Sequence, residues 1–407
     1  MPVRRFLLPA FVAVLVLGIP AAFGSGAADP GITATSIHIG GTAPLSGSAQ
    51  AFSSVAKGAQ AYFKYVNARG GVNKRKIDYE YLDDQYIPSE TVRQTRILVE
   101  DKNVFAIFNS LGTEHNEAIR PYLNTKQVPQ VFIATGATTF GRDYQQYPWT
   151  IAYQPTYIAE GAMYGNYISR TMPKAKIAIL YQDDSYGNDL IKGLERGLGA
   201  KKGNIVSKAG YAASDDNVQS QVARLRVSNA QVLMLFTTPK FTIQAYQYVN
   251  SLGWKPKIFV NAVSSASNVM VLSSSRGQNK RVEGSISIVF LKDPNDPKWA
   301  RDPGVLLYRK IMRKYSQGGN VKDVYNLYGM SAAFTFVDAL KHAGKSPTRR
   351  SLMNAATHLN ERNNPFLLPG MSIRTRSTEH YPIDQARLQR WHNGKWISFG
   401  GLLKAKS

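Results

Sequence analysis

The residue types that carry out catalysis are present in this 407-residue sequence, but not at the spacings catalysis uses. There is no H-E-x-x-H to set two imidazoles around a zinc ion, no G-x-S-x-G and no G-x-G-x-x-G. Gly344-Lys345-Ser346 ends as a phosphate loop ends, yet Ala339 stands where the first glycine belongs. The histidines at 38, 115, 342, 358, 380 and 392 share no turn of helix, which makes them surface or packing residues rather than metal ligands. The absence of cysteine excludes disulfides, thiolate metal sites, a cysteine nucleophile and an acylated cysteine anchor. Asp83-Asp84, Asp183-Asp184 and Asp215-Asp216 offer the acid and base a glycosidase needs. Each pair, however, follows an apolar run or precedes a helical pattern, where aspartate caps backbone N–H groups.

A different chemistry is written in "FNSLGTEHN", residues 108–116. It follows the apolar run Val104 to Ile107 and leads into Ala118, Ile119, Tyr122 and Leu123, which recur at helical spacing. Such a corner presents backbone N–H groups and a hydroxyl at a helix start, a place for an anion or carboxylate with no catalytic group required.

The elements that position this corner repeat along the chain. Apolar runs at 37–39, 77–81, 104–108 and 131–133 form one group, and those at 177–181, 205–206, 232–236 and 258–260 a second. After the first interval the starts step by about 26 to 28 residues, the length of a strand-helix unit. Between them lie helical patterns such as Phe52, Val55, Ala56, Ala59, Phe63 and Val66. Alternating strands and helices predict α/β architecture with parallel sheets covered on both faces. The rhythm breaks at "QQYPWTIAYQP" (145–155), which predicts two doubly wound lobes. Helices are expected around 305–315 and 322–343, then a hairpin turning at Asn393-Gly394. Polar loops at the carboxyl ends of the strands, among them 43–52, 109–113, 134–139, 181–189, 236–240 and 260–268, occupy the usual ligand crevice of open parallel sheets.

Composition bounds the partners. Arg4-Arg5, the apolar run from Phe6 to Phe23 and the small residues after it read as a cleaved export signal over residues 1–28. With no lipidated cysteine, the mature chain is expected free in the periplasm as a monomer. The net charge of +23 falls to +21 without the two arginines of that segment. Its basic residues are scattered, with only Lys74-Arg75-Lys76 clustered, which argues against nucleic acid and for a positive field that favours anionic ligands.

The motifs "APLSG" (43–47), "NARGGVNKRKI" (67–77), Asp83-Asp84 with Pro88, "SLGT" (110–113), "VPQVFIATGAT" (128–138) and "DDSYGND" (183–189) resemble the branched-chain amino acid type of periplasmic solute-binding protein, the receptors of ABC importers. The resemblance runs in order over nearly the whole mature chain. It implies no enzyme and no cofactor, but two lobes that close on a small carboxylate-bearing solute and present it to an inner-membrane ABC permease. It also implies three crossings, near 150–154, 284–290 and 374–385, with 33–151 plus 288–376 as lobe 1 and 152–287 plus 377–404 as lobe 2. By position in the motifs, Leu111, Gly112 and Thr113 would hold the solute carboxylate, with Gly136, Ala137 and Thr138 beside them. Phe52 would form an aromatic wall, Tyr186 would close from lobe 2, and Gln154 and Asn261 would complete the site.

One departure stands out. Amino-acid receptors of this type carry an acid after the strand matching Ile258 to Val260, where it pairs with the α-ammonium group; "NAVSSASN" (261–268) has none. Losing that charge-assisted bond costs roughly 1.5 to 3 kcal/mol. The sequence therefore leaves two ligand classes open: an amine-free aromatic or aliphatic acid, or an amino acid whose charge is met by Asp183, Asp184 or Glu160. A sensory subunit of the same fold and a secreted hydrolase remain as alternative readings.

Overall fold

The computed structural model describes Met1 and residues 29–316 and 318–404, so the expected export signal, Met1 apart, lies outside the described residues. The first group of apolar runs builds one sheet from β1 (Ser36–Ala43), β2 (Lys76–Asp83), β3 (Ile107–Phe108) and β4 (Gln130–Val131), which β5 (Thr150–Ile151) extends. Its order is β2-β1-β3-β4-β5 and every pairing is parallel. The second group supplies β6 (Ile177–Gln182), β7 (Ile205–Tyr211), β8 (Val232–Phe236) and β9 (Lys257–Val260), to which β10 (Ile286–Val289), in the stretch expected as a crossing, adds a further parallel strand. After the short pair β11 (Asn360–Glu361) and β12 (Ile373–Arg374), the antiparallel strands β13 (Gln385–His392) and β14 (Lys395–Lys404) extend this second sheet to β14-β13-β10-β9-β8-β6-β7. The two-residue turn between them is Asn393-Gly394, with φ of 49° and 78°, the left-handed pair a tight hairpin requires.

The chain passes between the sheets three times. It leaves the first after β5, enters the helix Tyr157–Thr171 and completes β6 to β10. It then returns as the helices Pro303–Tyr315 and Val324–His342, which pack against the helix Ser53–Asn67 over the first sheet, and finally re-enters the second sheet as β13. One core gathers around the first sheet, where Phe108 meets the rings of Phe63 and Phe336 at centroid distances of 5.3 and 5.0 Å. Two more fill the two faces of the second sheet, as its nearly continuous apolar strands require.

Two helix pairs approach so closely that side chains are excluded from the seam. A methyl group on Gly58 would meet the Asn326 carbonyl, and one on Gly329 the Val55 carbonyl, where the helices Ser53–Asn67 and Val324–His342 cross. In the second lobe Gly161 and Gly165 face the carbonyls of Leu190 and Leu194, while Gly193 and Gly197 face those of Ile158 and Ala162. The helices Tyr157–Thr171 and Ser185–Leu198 thus interlock backbone to backbone. Among the described residues no helix is long and apolar enough to cross a membrane.

Candidate functional site

The loops at the carboxyl ends of the strands converge on a cavity of about 120 Å³ between the sheets. Its wall draws on both lobes and the connecting segments, and is mostly apolar and aromatic: Phe52, Val55, Leu111, Tyr157, Tyr186, Phe290, Tyr325 and Tyr328 all contribute. Six of the residues expected from sequence stand on it, namely Phe52, Leu111, Gly112, Thr113, Gln154 and Tyr186.

The corner after β3 is built as its sequence suggests. Leu111 forms a parallel bridge with Ala134, and Gly112 turns the chain at φ 107° against the His115 imidazole, which a Cβ would strike. Thr113 then opens the helix Thr113–Thr125, and no side chain caps the first turn. Its N–H groups are therefore free of side-chain acceptors at a cavity wall. The Thr113 hydroxyl lies 2.7 Å from that of Thr135, which in turn is 3.3 Å from the Tyr157 hydroxyl. This set can donate several hydrogen bonds to one small anion.

From the other side Tyr186 enters on the second residue of the helix Ser185–Leu198, whose start Asp184 caps by accepting from the Gly187 N–H at 3.1 Å. Its ring stands edge-on to Tyr157 at 4.9 Å. Thr113 and Tyr186 are each 3% exposed, so the lobes are closed over the cavity. The Thr138 N–H donates to Asp189 at 2.9 Å, Ser185 to Glu117 at 3.3 Å, and the Tyr325 hydroxyl to the Val263 carbonyl at 2.8 Å.

Four expected residues do not reach the wall. Gly136 gives its carbonyl to the Tyr157 N–H and packs too tightly on Pro155 to admit a Cβ. The Ala137 N–H is taken by the Thr135 hydroxyl, and the Thr138 N–H by Asp189, so this loop joins the lobes instead of facing the cavity. Asn261 is fully buried, with its side-chain amide 2.7 Å from the Tyr186 hydroxyl. With the amide oxygen turned to that hydroxyl, its nitrogen also donates to the carbonyls of Leu235 and Thr237.

The acids proposed to meet an amine are likewise engaged elsewhere, and none of them lines the cavity. Asp183 is exposed. Asp184 caps its helix, and burial pushes its carboxyl up to about 6. Glu160 accepts from the Tyr164 hydroxyl at 2.7 Å and the Ala262 N–H at 2.6 Å, and burial raises it to about 7. Of the other acidic pairs, Asp83 accepts from the N–H groups of Leu45 and Gln85, Asp84 from Tyr86 N–H and Thr91, and Asp215 from the Ala212 N–H. Sequence reasoning missed two wall residues of consequence. Tyr86 stacks on His115 at 4.2 Å, and Asp293 brings a carboxylate to the wall from the segment after β10. No group of three His, Asp or Glu among the described residues could hold a metal.

Two interlocked α/β lobes closing over a polar-cornered cavity define a solute-binding protein of the periplasmic class. The chain belongs to the periplasmic binding protein family, whose model it matches over residues 36–395. The relatives it is similar to include proteins of the branched-chain amino acid type. It is 25% identical over 172 residues to the leucine-specific-binding protein of Salmonella typhimurium, a match over 42% of this chain and 46% of that one. The chain thus spans about half the length of the curated relatives it matches first. Its fold is similar to that of a branched-chain amino acid ABC transporter protein from Thermus thermophilus with bound valine, at TM-score 0.79, 17% identity and coverage of 92% and 98% of the two chains. It is also similar to an R. palustris ABC transporter solute-binding protein in complex with 4-hydroxybenzoate, at TM-score 0.74, 15% identity and coverage of 91% and 98%.

Proposed function

We propose that this protein captures a small carboxylate-bearing solute in the cavity between its lobes and, in the periplasm, delivers it as a monomer to an inner-membrane ABC permease without chemical turnover. The observation that carries the reading is the uncapped helix start at Thr113, on a closed apolar wall, with the Thr113–Thr135 hydroxyl pair beside it. A carboxylate there would accept from backbone N–H groups and a hydroxyl at once, and the helix dipole would favour its charge. Leu111, Gly112, Thr113, Gln154, Phe52 and Tyr186 are the proposed solute contacts, with Asn261 supporting Tyr186 from behind. The expected boundary after 287 would cut β10 (Ile286–Val289), which pairs with β9 and β13, so lobe 1 is taken as 33–151 with 290–376 and lobe 2 as 152–289 with 377–404. Relatives named for leucine and a neighbour holding 4-hydroxybenzoate support a carboxylate as the shared feature of the ligand.

The test is a thermal-shift and calorimetric screen of the protein against amino acids and amine-free carboxylates. A bound solute raises the unfolding temperature with the logarithm of its concentration over Kd. Stabilisation by at least one carboxylate, and none by the matching alcohol or amide, is the expected result. If no carboxylate shifts the transition, the reading is wrong.

A further inference from the structure

Asp293 sets a carboxyl group on the cavity wall with no cationic partner among the described residues. Its carboxylate accepts from the Asn295 N–H at 2.8 Å, and the Asn295 side chain donates to Ser267 and to the Lys322 carbonyl, each at 2.8 Å, so the segment is fixed in place. The adjacent Lys292 does not neutralise it, because its Nζ donates to both oxygens of Asp302 and to the Pro365 carbonyl at 2.9 Å. Among the described residues, no basic side chain lies within ion-pair distance of Asp293.

The charges around it have its own sign. Burial, more than the nearby Asp296, opposes its ionisation, and Asp323, which accepts from the Tyr325 N–H at 3.1 Å, bears with Asp293 on the same Tyr308 hydroxyl. In a protein of net charge +23, this part of a mostly apolar cavity is negative. A desolvated carboxylate without a cation is costly, and the cost falls when a cation arrives. The hydrogen-bonded neighbours of Asp293 and those of Thr113 have no member in common, so the two are separate anchors.

We propose that Asp293 is the specificity-determining residue of the cavity and holds an ammonium group of the solute, carried apart from the carboxylate that Thr113 holds. The inference rests on the carboxylate reading for its second anchor only. The ligand class is an amino-carboxylate whose amine lies away from the carboxylate-bearing carbon, with an aliphatic or aromatic stretch between them matching the apolar wall.

Titration calorimetry of the full chain near neutral pH with hexanoate, 6-aminohexanoate, hexylamine, 4-methylpentanoate and leucine tests this directly. The expected result is a tenfold or greater preference for 6-aminohexanoate over hexanoate. Asp293→Asn, which keeps an oxygen acceptor for Asn295, should cut that preference at least fivefold. The wild-type preference is read without any variant and stands if Asp293→Asn does not fold. Equal binding of hexanoate and 6-aminohexanoate overturns the inference and leaves the carboxylate reading intact. So does a preference for leucine over 4-methylpentanoate that survives Asp293→Asn. Binding of hexylamine but of no acid upholds the inference and overturns the carboxylate reading; silence from all five probes overturns both.

Discussion

The side-chain amide of Asn261 lies 2.7 Å from the hydroxyl of Tyr186, and through it the end of β9 is tied to the start of the helix Ser185–Leu198. Tyr186 lines the cavity while Asn261 does not, so the asparagine acts by fixing the angle of the ring. Asn261→Ala should weaken solute binding about tenfold, the loss of one buried hydrogen bond of roughly 1 to 1.5 kcal/mol. Tyr186→Phe should cost a similar amount, and adding it to Asn261→Ala should cost little more, because the bond it removes is already gone. Additive losses in calorimetry would mean that Asn261 acts independently of Tyr186.

Thr113→Ala removes the hydroxyl at the uncapped helix start and leaves Thr135 without its closest partner. We expect affinity for a carboxylate solute to fall by about 1 to 3 kcal/mol. Thr113→Ser, which keeps the hydroxyl, should recover most of it. An Ala variant that binds as tightly as the parent would move the carboxylate elsewhere.

Glu160 supplies a pH signature. Burial holds its carboxyl at about 7, against 4.5 in the unfolded chain, so the native state keeps the proton more tightly. The stability this gives is fully present below pH 4.5 and is lost as pH rises through about 7. Glu160→Gln keeps an acceptor for Tyr164 and Ala262 but cannot ionise. Its stability relative to the parent should therefore improve by about 3 kcal/mol between pH 4.5 and 8. Denaturant midpoints measured at both pH values check this, and a constant gap would refute it.

Gly329→Ala should destabilise the first lobe by about 1 to 3 kcal/mol, because the added methyl group meets the Val55 carbonyl where two helices cross. Gly203→Ala, with nothing near its Cβ, should be nearly neutral. Equal urea midpoints for the two variants would show that the seam yields to a methyl group.

How much of this was legible depended on whether a residue's task is local. The eight apolar runs became strands; burial on both faces leaves a run such as Val232–Phe236 that any reading detects, whereas the edge strands β2 and β7 are only partly buried, and the Asn393-Gly394 turn announced itself through residue types that tolerate the left-handed φ it adopts. β5 was hidden because two residues, Thr150–Ile151, are too few to show a period. Val104 to Ala106 read as part of a strand, and Phe105 does bond the His38 carbonyl, but the ladder of β3 is counted only from Ile107. The Thr113 corner was readable because strand, glycine, hydroxyl and helix are contiguous. Asn261 and Thr138 were read as facing the solute because their loops do approach it. Which way each group bonds, toward Tyr186 or Asp189, is decided by another part of the chain. Asp293 was overlooked because "KDPND" reads as an ordinary turn, and only the folded chain sets it against the cavity.

The interlocked glycines 161, 165, 193 and 197 bear on how capture is felt at a distance. With no side chains in that seam to rotate or compress, the helix bearing Tyr186 cannot tilt alone; its partner and the sheet beneath travel with it. On the proposed reading, a solute drawing Tyr186 inward would swing that helix pair and its sheet as a single lever. A displacement too small to notice at the pivot would then become a broad change in the outer contour, the part of the protein that another molecule would read.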